Sequence, residues 1–137
     1  MRWCPAAEFI QQLEPKRFEH LADLLRFAAA DRLQFALDNR AIIRIVAQQA
    51  FVRKDLLPKV TLAMKKQFDQ GFFPALHRFQ ARGDMVTWDD TRILRCFASA
   101  VFGYALPLVM LPQAPADFDI AGAADEIVET LMKVFKP

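Results

Sequence analysis

A chain of 137 residues, 54% of them hydrophobic, has the size of one domain with a full core. Lys and Arg number 18 against 16 Asp and Glu, a balance that excludes the strong positive footprint of a nucleic-acid-binding domain. Two cysteines without CxxC spacing give neither a disulfide framework nor a zinc site, whereas thirteen Phe against one Tyr predict an apolar pocket or interface beyond one small core.

In chain order, the opening MRWCPAAEF has no apolar run of signal-peptide length, so a cytoplasmic protein is expected. Pro5 to Leu13 reads as a short helix that stops before Pro15. Pro15 suits the first turn of the next helix, whose stripe of Phe18, Leu21, Leu25, Ala28, Ala29, Leu33, Ala36 and Leu37 carries it to about Asn39. From Arg40 to Arg53, residues Ile42, Ile43, Val46, Ala47, Ala50 and Phe51 fall on one side of a third helix. Asp55 is the expected N-cap of a fourth, with Pro58 in its first turn. Gly71 and Pro74 predict a kink in that helix, which then runs to Arg82 through Phe72, Phe73, Leu76 and Phe79 and ends at Gly83. Arg53, Lys54, Lys59, Lys65 and Lys66 form the only basic cluster and read as a solvated helix face.

The stretch Thr87 to Leu111 is the expected central helix, with Thr87 as N-cap and Asp90 completing an approximate capping box. From Phe97 to Leu111 only Ser99 and Tyr104 carry polar side-chain groups, and a helix apolar on all sides needs cover on all sides. The run is shorter than the ~20 residues of a membrane span, so no membrane contact is expected. Pro107 predicts a kink or an end near the last turns. After Pro112, Pro115 and Asp117, a last helix spans Asp119 to Phe135, with Ile120, Ala124, Ile127, Leu131 and Val134 spaced as a narrow seam. Glu129 and Lys133 are set to pair on its outer face. No strand pattern or internal repeat occurs. An all-α domain of about five main helices follows, residues 15–137 forming the core behind a 1–14 segment.

Chemistry leaves few marks. The sequence holds no GxSxG, GxxxxGK[ST] or GxGxxG, and neither His20 nor His77 belongs to HExxH. Glu19, His20 and Asp23 share a helix but lack the inward carboxylate and His pairs of a helical metal centre, so a solvated polar face is the expectation. No cofactor and no metal are implied, and no catalysis is expected.

Taken together, AQQAFVRKDLLPKV, the long helix closing on FQARGDMVTWD, the apolar helix with Gly103, and DIAGAADEIVETLMKVF resemble the C-terminal regulatory domain of the tetracycline repressor (TetR) family of bacterial transcription factors. The likeness runs from about Pro15 to the end. It implies a helical domain that homodimerises through its last two helices in a four-helix bundle and holds a mostly apolar effector inside each protomer. The family's helix-turn-helix lies N-terminal to this domain. About fifteen residues leave no room for it here, so direct binding of nucleic acid by this chain is not expected.

On this reading the ligand-binding candidates are Phe27, Gln48, Phe51, Met64, Phe68, Phe72, His77, Phe97 and Tyr104, chosen for size, polarity and inward direction. The dimer-interface candidates are Phe97, Val101, Leu108, Ile120, Ala124, Ile127 and Leu131. For each of them, ordinary core packing is the alternative. A structural dimerisation or adaptor module without a ligand site is the competing function, and a small enzyme using His77 or the Glu19, His20 and Asp23 group a third.

Overall fold

The computed structural model describes residues 18–112, 115 and 117–137. Among the described residues every regular element is a helix: α1 (Leu21–Asp38), α2 (Arg40–Ala50), α3 (Leu56–Gln70), α4 (Phe72–Ala81), α5 (Asp90–Met110) and α6 (Ile120–Val134), an all-α fold. The expected Pro5–Leu13 helix lies outside the described residues.

α1 buries Leu21, Leu24, Leu25, Ala28, Ala29, Leu33 and Ala36, the face that its spacing predicts. It packs chiefly on α6 and α5. The small pairs Ala28–Ala29 on α1 and Ala123–Ala124 on α6 permit close approach of the two backbones. Arg26 on α1 adds an exposed ion pair to Asp125 on α6 at 2.7 Å. The second core unit is aromatic. Phe72 lies 5.2 Å from Phe68 and 5.0 Å from Phe97, centroid to centroid, and Phe73 closes the group. Such pairs add about 0.5–1.5 kcal/mol each beyond their area.

Two helices replace the one kinked helix expected around Gly71. The break is a single residue wide, because Gly71 leaves helical dihedrals (φ −143°, ψ −45°) and Pro74 falls in the first turn of α4, where its missing N–H is no loss. At the far end of α4, Gly83 takes φ +79°, the N–H of Asp84 donates to Phe79 O at 2.9 Å, and that of Gly83 to Gln80 O at 3.1 Å. This is the Schellman closure.

α5 begins later than Thr87. Its N-cap is Asp89, whose carboxylate accepts from the Arg92 N–H at 2.8 Å. Val86 to Trp88 are held outside the helix, since the Gln80 side-chain amide donates to both Val86 O and Trp88 O at 3.1 Å. The Arg92 guanidinium sits 3.5 Å over the Trp88 ring. Pro107 neither ends nor interrupts the assigned helix, which runs on to Met110. At 21 residues α5 reaches the length and composition that can cross a membrane, longer than its purely apolar run suggests. It nonetheless packs one face, Ile93, Phe97, Val101, Ala105, Leu108 and Val109, into the protein.

α6 starts as expected, Asp119 accepting from the Gly122 N–H at 3.0 Å. A Cβ at Gly122 would stand 2.4 Å from that capping carboxylate, so glycine keeps the cap in place. The buried seam is Ala123, Ala124, Ile127, Val128 and Leu131, while Val134 is exposed and Ile120 half-buried.

Candidate functional site

An open cavity of about 530 Å³ lies between α2, α3, α5 and the C-terminal end of α1. That volume falls within the range that holds small organic ligands. α2 builds one wall with Ile42, Ile43, Val46, Ala47 and Ala50. α3 supplies Leu56, Val60 and Met64 among others, and α5 contributes Phe97, Val101 and Ala105 on its inner side, with Phe102 and Leu106 more exposed. Phe68 backs the cavity from the aromatic cluster.

Three of the polar residues in the lining, Asn39, Thr61 and Arg32, make bonds within the protein. Asn39, the only polar residue classed as buried among those described, donates its side-chain amide to Phe35 O at 2.9 Å. The Thr61 hydroxyl donates to Leu57 O at 2.9 Å. Arg32 is bound to Asp31 at 2.6 Å, with its guanidinium 4.9 Å from the centre of the Phe35 ring. What remains is a largely hydrocarbon-lined space, with Gln67 and Ser99 its other polar residues, that suits an apolar ligand.

α2 has no fully buried residue, yet it is fixed at its N-terminal half. Arg40 Nε donates to Leu108 O at 2.8 Å and Arg44 Nε to Val109 O at 2.9 Å, and both guanidiniums also reach Leu111 O. Two permanent cations thus cap the carbonyl end of α5, where the helix dipole favours positive charge.

The structure divides the sequence-chosen ligand residues. Met64, Phe68 and Phe97 line the cavity. Phe72 lies behind the wall, fully buried between Phe68 and Phe97. Phe27 packs on Phe18 at 5.6 Å, away from the lining. Gln48 is exposed because the apolar face of α2 turns its neighbours Val46 and Ala47 inward. Phe51 is 93% exposed, since the helix that would have aimed it inward ends at Ala50. His77 Nε2 pairs with Asp90 at 2.7 Å on the surface. The Tyr104 hydroxyl donates to the Glu126 carboxylate on α6 at 2.5 Å, which raises its pKa above the ordinary 10.0 because ionisation would forfeit that donated bond, with desolvation and the neighbouring negative charge adding to the shift.

The interface candidates need a similar correction. Phe97, Val101, Leu108, Ala124, Ile127 and Leu131 are buried within the protomer, all but Leu108 as members of its hydrophobic core. On α5 itself Ser99, Phe102, Gly103, Leu106, Pro107 and Met110 are exposed, with Ser99, Phe102 and Leu106 bordering the cavity and Gly103, Pro107 and Met110 outside its lining. Among the described residues no group of three His, Cys, Asp or Glu side chains converges, and Asp23 pairs with Arg26 instead.

Comparison with family models, curated proteins and solved structures gives no match. Function therefore rests on the geometry.

Proposed function

We propose that this chain is the ligand-sensing and homodimerisation domain of a TetR-like regulator, taking a small, mostly apolar effector. The observation that carries the reading is the cavity of about 530 Å³, walled by hydrocarbon and closed on one side by a helix with no fully buried residue. An effector wedged against α2 pushes on Arg40 and Arg44, and through them on the C-terminal end of α5. In a regulator, that displacement is the signal passed to a DNA-reading domain.

Dimerisation is assigned to the outer face of α5 rather than to the buried seam of α6. Gly103 supports this: glycine costs about 1 kcal/mol in a helix interior, and nothing stands within 4 Å of where its Cβ would be. A second copy approaching closely is a reason for it. Gly103→Glu, harmless within the protomer, is expected to convert a sedimenting dimer to monomer.

The ligand reading is tested with N-phenyl-1-naphthylamine, a neutral apolar fluorophore. Saturable binding at one site per chain is expected, weakened about tenfold or more when Ala47→Trp fills the cavity. Absence of saturable binding, or binding untouched by both Ala47→Trp and Val60→Trp, refutes it and leaves a purely structural module.

A further inference from the structure

The turn between α2 and α3 carries an arrangement that the cavity does not explain. Phe51 is 93%, Val52 77% and Leu57 59% exposed, three large apolar side chains at one corner where turn residues are ordinarily polar. Leu57 also lines the cavity, together with Ala50 and Leu56, so the cavity rim reaches this corner.

Charge is concentrated on the same element. From Arg40 to Lys66 there are seven Lys or Arg against a single acid, Asp55, and the rest of the chain holds eleven basic against fifteen acidic residues. Asp55 is already engaged by Lys59 at 3.3 Å and Arg53 at 3.4 Å. Along the outer side of α3, Lys59, Leu62 and Lys66 follow at steps of three and four, and all are exposed, as is Lys65 beside them. The near-neutral total therefore conceals a strongly positive hairpin with an apolar tip.

We propose that this hairpin docks the protein on an anionic membrane surface. Phe51, Val52 and Leu57 enter the boundary between headgroups and acyl chains, and Arg53, Lys54, Lys59, Lys65 and Lys66 meet the lipid phosphates. This is peripheral contact, not a span. The pairing of an apolar wedge with basic residues is what an acidic bilayer recognises. A DNA backbone uses the cations but leaves Phe51 and Val52 in water. A second copy is disfavoured because two such tips would oppose like charge. With the tip seated, the cavity rim lies next to the acyl phase, giving an apolar ligand a route that avoids water. The docking itself stands whether or not the cavity holds a ligand.

The test is cosedimentation of the full chain with large vesicles of phosphatidylcholine alone and of phosphatidylcholine with about one third phosphatidylglycerol. Binding to the anionic vesicles only is expected, lost at ~0.5 M NaCl where screening is nearly complete. Phe51→Ser with Val52→Ser is expected to weaken it about tenfold or more. Lys65→Gln with Lys66→Gln should weaken it roughly thirtyfold, from ~fivefold per cation. All four positions are exposed, and an unchanged far-UV circular dichroism spectrum verifies each fold. No binding to anionic vesicles at low salt overturns the proposal. So does binding indifferent to the Phe51 and Val52 changes, or preference for a DNA duplex over the vesicles.

Discussion

Replacing Ile127 by Ala separates a core role for α6 from an interface role. Ile127 is 1% exposed in the protomer, so the change removes three fully buried carbon atoms. At ~0.8 kcal/mol per methylene the transfer loss is about 2.4 kcal/mol, and incomplete collapse of the void brings the total to about 3 kcal/mol, inside the 2–5 kcal/mol range for such truncations. An unfolding entropy of about 2.1 cal/mol/K per residue gives about 0.3 kcal/mol/K for 137 residues, hence a fall in Tm of about 10 °C. Thermal and urea unfolding at one fixed protein concentration measure the loss, and sedimentation velocity reports the association state. The expected variant is markedly less stable and sediments as wild type does under native conditions. A variant of wild-type stability that sediments as a smaller species would refute the reasoning and return the α6 seam to the dimer interface.

Three further outcomes can be checked independently. Tyr104 is the only tyrosine, so the ultraviolet titration of its phenol is clean: its midpoint should lie above the ordinary 10.0 and fall back in Glu126→Gln. Because that folded-state pKa is raised, the stabilisation from this bond is complete below pH 10 and is lost as pH climbs through the folded value, which unfolding midpoints across the alkaline range will follow. Gly83→Ala forces a Cβ into positive φ and should cost about 1–2 kcal/mol by urea denaturation, although no neighbour obstructs it. Asp89→Ala should cost about 1 kcal/mol through loss of the α5 cap while Thr87→Ala stays within ~0.5 kcal/mol; the reverse order would restore Thr87 as N-cap.

Most of the helical frame was legible because its signals are local. The α1 stripe, the Gly83 closure and the start of the last helix near Asp119 depend on residues within a turn or two of each other. Partnership was not legible. Spacing says that Ile127 and Leu131 are buried, but a seam covered by α1 and one covered by a second chain have the same period. Phe51 failed for a related reason, since periodicity extrapolated past Ala50 assigns a direction that the turn no longer enforces. Within the cavity, Met64, Phe68 and Phe97 were reachable from size and direction. Tyr104 and His77 were chosen for polarity, and the carboxylates of Glu126 and Asp90 account for them instead. The wall residues Ile42, Val46 and Ala47 stood on a visible apolar face; what was missing was that this face fronts a void.

The two arginines that tether α2 have a kinetic consequence. α2 has no fully buried residue, so swinging it away from α5 breaks the hydrogen bonds of Arg40 and Arg44 while leaving the aromatic cluster and the α1–α6 contact intact. Such a segment opens at a free energy below that of global unfolding, and its amide protons exchange as one early group.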